Sequence, residues 1–62
     1  MIYENIKKLC DEQKISIRAL EIKAGLGNGT IAGWKNRSPV LENLEAVAKV
    51  LKVSVEALSK RA

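Results

Sequence analysis

The chain has 62 residues, enough for one domain, with 47% apolar residues and a formal net charge of +4. It has no histidine and a single cysteine, Cys10, which excludes an internal disulfide, a multi-Cys/His metal site and catalysis by a histidine base. No apolar run approaches the ~20 residues of a membrane span, and no charged-then-apolar leader opens the chain, so a protein that is not exported is expected.

The pattern predicts five short helices and no strand. The first covers residues 2–13, with Ile2, Ile6, Leu9 and Cys10 on one apolar stripe. Cys10 on that stripe reads as a small buried hydrophobe. Ser16 suits the N-cap of a second helix whose core residues are Ile17, Leu20 and Ala24, and Gly25 supplies a left-handed stop. A third helical stretch is expected from Asn28 to Asn36. Residues 36–39 form a loop, because the residue before Pro39 avoids the helical region. A fourth helix, residues 41–51, places Leu44, Val47, Ala48 and Leu51 on one core-facing stripe, with Glu42 and Glu45 in its first half. Ser54 caps a short fifth helix with Leu58 pointing inward. The expected fold is all-α: one compact five-helix bundle, residues 1–62, with a helix-turn-helix at about 16–36.

Charge is concentrated where the glycines are. Residues 14–40 carry Lys14, Arg18, Lys23, Lys35 and Arg37 against Glu21, a local charge of +4; residues 1–13 carry −1 and residues 41–62 carry +1. A localised basic patch points to a polyanionic partner. All the glycines, Gly25, Gly27, Gly29 and Gly33, fall in the same stretch. At 100° per residue along the third helix, Gly27, Ile31 and Trp34 gather on the inner side, with Thr30 at its edge. Trp34 therefore reads as core and not as a base-stacking platform. Gly29, Ala32, Gly33 and Asn36 gather on the outer side, with Asn28 at its border. Such a bare ridge can press deep into a major groove, which is wide enough for a helix.

On this reading Asn28, Gly29, Ala32, Gly33 and Asn36 face DNA bases. Asn28 suits adenine, Ala32 suits a thymine methyl, and Asn36 lies near the far end. Ser16, Arg18, Lys35, Arg37 and Ser38 face phosphates, with the amide of Ile17. Thr30 bonds either a phosphate or its own helix backbone.

The stretch "SIRALEIKAGLGNGTIAGWKNRSPVLENLEAVAKVLKVSVEALSK" resembles the phage-repressor and Cro type helix-turn-helix domain, the XRE family. Leu20, Ala24-Gly25-Leu26, Gly29-Thr30-Ile31, Trp34, Pro39, Leu44, Ala48, Leu51, Val53-Ser54 and Leu58 carry the likeness. The resemblance implies a lambda-repressor-like five-helix domain, a cytoplasmic DNA-binding transcriptional regulator of prokaryotic or phage type, usually dimeric. Its base contacts map onto Asn28, Gly29, Ala32 and Gly33, and its phosphate contacts onto Ser16, Ile17, Thr30, Lys35 and Arg37. The chain departs from the family pattern at Ile17, Glu21, Val40 and Lys52. Glutamine, a small residue, a capping Ser or Thr, and a helix-ending glycine are respectively common there. Lys52 is accordingly expected in a left-handed turn.

The leading expectation is a sequence-specific, repressor-like DNA-binding protein with no cofactor, no metal and no enzymatic activity. Its partners are double-stranded DNA and a second copy, contacted through Val55, Ser59, Lys60 and the remaining C-terminal residues. The alternative is a protein-interaction module on the same fold, its bare third-helix face receiving a partner helix.

Overall fold

A computed structural model describes residues 2–59. Four α-helices and one 3₁₀ helix follow in order: α1 (Ile2–Gln13), α2 (Ile17–Ala24), the 3₁₀ helix (Ala32–Lys35), α3 (Leu41–Leu51) and α4 (Val55–Ser59). The described residues contain no strand. The expected bundle stands, with one correction: the described residues form four α-helices rather than five. Gly29 sits at φ +85°, which a right-handed helix cannot pass through. Thr30 donates to the Gly27 carbonyl, Trp34 to Ile31 and Asn36 to Gly33, each three residues back; Gly33 to Gly29 is the one four-residue bond. The third segment is therefore a turn followed by a short 3₁₀ helix.

Each element contributes to one core. Ile6 and Cys10 come from α1, Leu20 from α2, Ile31 and Trp34 from the third segment, Leu44, Val47, Ala48 and Leu51 from α3, and Leu58 from α4. The stripes read from helical spacing on α1 and α3 are thus the buried faces, with Ile2 and Leu9 packed at the margin. Burial pushes the Cys10 thiol up from its ordinary pKa, with Asp11 adding to the shift and Lys7 opposing it. Helix α2 packs on α3, while α1 packs on α4 and on the 3₁₀ helix.

Polar groups close the helix ends. Ser16 Oγ accepts from the Ala19 amide at 2.9 Å, and Ser54 Oγ from the Ala57 amide at 3.1 Å. Val40 begins α3 with no side-chain cap. Two carbonyls near helix ends are met from α1: Gln13 Nε2 donates to Leu51 O at 2.9 Å and Asn5 Nδ2 to Leu58 O at 2.7 Å.

Three helices stop in the same way. Lys14, Gly25 and Lys52 have φ of 59°, 76° and 60°. The next amides, on Ile15, Leu26 and Val53, each reach five residues back, to Cys10, Glu21 and Ala48. This is the Schellman arrangement, and each of these apolar residues packs against the core. The left-handed turn expected at Lys52 is present.

Candidate nucleic-acid interface

The site is built on α2, the Gly25 turn and residues 28–37. Leu20, Ile31 and Trp34 pin the two arms to the core from behind. Asn28, Gly29, Ala32 and Asn36, four of the five residues expected to face bases, are exposed, but the turn and 3₁₀ helix replace the regular helix on which their shared outer face is predicted. The fifth, Gly33, is half-buried because the Arg37 side chain lies over it. A Cβ at Gly33 would stand 3.1 Å from Arg37 Nη2 and 3.4 Å from Nε. The two ridge glycines therefore differ. Gly29 serves a left-handed backbone with open space around it, whereas Gly33 leaves room for a neighbouring guanidinium.

The residues expected at phosphates are more dispersed. Ser16 and Ser38 are exposed, Thr30 is half-buried, and Ile17 packs its side chain against the core, leaving only its backbone for such a role. Arg18 is exposed at the start of α2 and holds Glu21 Oε1 at 3.5 Å. The Lys35 ammonium stands 4.8 Å from the centroid of Tyr3, over its ring, and so leans toward α1. The Arg37 guanidinium lies against Gly33.

A family model for the Cro/C1-type HTH DNA-binding domain matches residues 5–61. The chain belongs to this family. Comparison with curated proteins and with solved structures returns no match. The Cro/C1-type domain is a DNA-binding module, which accounts for a basic segment carried on a helix-turn-helix frame. Among the described residues no helix is long and apolar enough to cross a membrane, and no His/Cys/Asp/Glu cluster could hold a metal.

What sequence reasoning misses in this Cro/C1-type domain is Glu21. Its residue is only 2% exposed. Oε2 accepts from the Ile31 amide at 3.0 Å and Oε1 from the Gly29 amide at 3.4 Å. The first residue flanking the 3₁₀ helix, Ile31, has no polar side chain of its own, so a carboxylate from α2 caps it across the turn. Two backbone donors and one guanidinium offset the cost of burying that charge. A signal for this exists in the spacing. Ile17, Leu20, Glu21 and Ala24 fall at i, i+3, i+4 and i+7, so the acid occupies a core position of the α2 stripe.

The residues expected at a dimer contact fare unevenly. Val55 is half-buried and packed on the core, and Ser59 is exposed. Lys60 lies outside the described residues, as do residues 61 and 62.

Proposed function

We propose that this Cro/C1-type domain is a sequence-specific, repressor-like transcriptional regulator that lays residues 28–36 into the major groove of DNA. The observation supporting this reading is the outer side of the third segment: Asn28, Gly29, Ala32 and Asn36 are small and exposed, on the segment with the excess positive charge. Asn28, at the start of the ridge, takes an adenine edge, and Ala32 takes a thymine methyl. Ser16, the Ile17 amide, Arg18, Thr30, Lys35 and Ser38 hold sugar-phosphate and set the register. Two copies related by a two-fold axis, meeting near Val55 and Ser59, would occupy half-sites about one helical turn apart. The working compartment on this reading is the cytoplasm.

Selection from random duplexes, followed by anisotropy titrations over a salt series, tests the proposal. A preferred sequence is expected, with log K falling by roughly 0.9 per log unit of salt for each phosphate neutralised. Asn28→Ala relaxes the preference at one base pair. Equal affinity for every duplex, or a flat salt line, overturns the reading. Sedimentation over a concentration range with and without the selected duplex tests the dimer.

A further inference from the structure

The ridge carries only two side chains able to hydrogen-bond a base edge, Asn28 and Asn36, which is little for a sequence reader. The geometry points to a third: we propose that Arg37 is the guanine-reading residue of the domain. This rests on the proposed function and adds the residue that sets specificity.

Three observations converge on it. First, the guanidinium lies on Gly33, with Nη2, Nε and Cζ at 3.1, 3.4 and 3.7 Å from where a Cβ would stand. The planar group therefore rests on the backbone of the 3₁₀ helix at Gly33, although Arg37 follows that helix in sequence. Second, the chain is turned so that this is possible. Asn36 caps the 3₁₀ helix with its amide donating to Gly33 O, which brings the next residue back over Gly33. Third, two other cations of the site lean elsewhere: Arg18 toward Glu21 and Lys35 over Tyr3.

The bare α-carbon of Gly33 thus acts as a seat for the guanidinium. Arginine presents a rigid fork of donors, and guanine presents two acceptors, O6 and N7, side by side on its major-groove edge. No other base offers that pair, so a guanidinium carried on the ridge selects guanine at one position of each half-site.

The experiment is selection from random duplexes with the full chain and three variants, Arg37→Lys, Arg37→Ala and Gly33→Ala, each checked for helical content by circular dichroism. The wild-type chain is expected to demand guanine at one position. Arg37→Lys keeps the charge and loses the fork. It should cut discrimination at that position about tenfold, leaving the other positions and the salt slope unchanged. Gly33→Ala nudges the guanidinium on its seat without removing it and should weaken discrimination at the same position by less than Arg37→Lys does. If Arg37→Lys leaves the preferred sequence intact, the proposal fails while the regulatory reading stands. The proposal fails in the same way if Arg37→Ala weakens all duplexes equally and lowers the salt slope by about 0.9, as loss of a phosphate contact would. A wild-type chain that prefers no sequence overturns both.

Discussion

Helix α3 and residues 28–36 both seat apolar side chains in the core, and they do so with different means. Helix α3 has 11 residues and buries four of them along one stripe, held by its own ladder. Residues 28–36 bury only Ile31 and Trp34, three apart, around mixed turns and a four-residue 3₁₀ helix. With three residues per turn, i and i+3 lie directly above one another, so two anchors suffice to hold such a segment flat against the bundle. What α3 gains from area, the third segment gains from Glu21, whose carboxylate binds the Gly29 and Ile31 amides. The lesson is that a segment can be fixed in place without regular structure if one buried polar group specifies its backbone. Its outer surface is then free to be nearly bare.

The contrast breaks most visibly at Leu51. It is 1% exposed at the end of the α3 stripe, and truncation to alanine should cost about 2–5 kcal/mol. A domain of this length commands roughly 3–9 kcal/mol in total, at about 0.05–0.15 kcal/mol per residue. Urea denaturation of Leu51→Ala should thus show a midpoint well below that of the wild-type chain. A loss under about 1 kcal/mol would mean that α3 does not anchor the core.

Glu21→Ala should follow, at about 2–3 kcal/mol, because it strands two backbone donors, one of them fully buried. The location of the damage matters more than its size. Amide exchange should accelerate at Ile31 while the central amides of α3 remain protected relative to global unfolding. Glu21→Gln keeps an acceptor and should cost about half as much. Equal acceleration throughout the chain would show that Glu21 supports the whole fold and has no special hold on the turn.

These two sites also mark what the sequence discloses. Leu44, Val47, Ala48 and Leu51 announce α3 because burial follows a helical period that can be counted. Ser16, Ser54 and Gly25 announce ends because their chemistry at helix termini is local. The third segment is legible in its anchors, Ile31 and Trp34, and in its exposed residues, but not in its backbone. Nothing local to residues 28–31 says that Gly29 is left-handed, and the bonds that hold it there come from eight and ten residues away. By its place in a loop Arg37 reads as a phosphate contact. Its seat on Gly33 depends on a chain reversal that no periodicity encodes.

The ridge glycines sharpen the comparison on a smaller scale. Gly29→Ala imposes a side chain on a φ of +85° and should cost about 1–2 kcal/mol, although its Cβ would meet nothing within 4 Å. Gly33→Ala has no such backbone conflict. Its Cβ presses on the far end of a flexible arginine, and the lost glycine entropy offsets that contact, so thermal unfolding should shift by less than about 0.5 kcal/mol. If the two costs are reversed, the conformational account of Gly29 is wrong.

The smallest effect concerns the helix ends, where α1 and α3 stop on lysine and α2 on glycine. Lys14 and Lys52 hold φ of 59° and 60° and both are exposed, so replacing them removes left-handed strain without removing packing. A non-glycine residue there costs about 1–2 kcal/mol, and glycine returns roughly half of that through the freedom it gains when unfolded. Lys52→Gly should therefore raise stability by about 0.5–1 kcal/mol, a few degrees in Tm for a domain this small. Lys14→Gly should do the same. The double variant carries the sharper information. Gln13 and Leu51, the residues just before these lysines, are joined by the 2.9 Å hydrogen bond from Gln13 Nε2 to Leu51 O. Neighbouring sites of this kind need not act additively. A gain smaller than the sum would show that the ends of α1 and α3 share one strained junction, whereas strict addition would show that each lysine strains only its own helix.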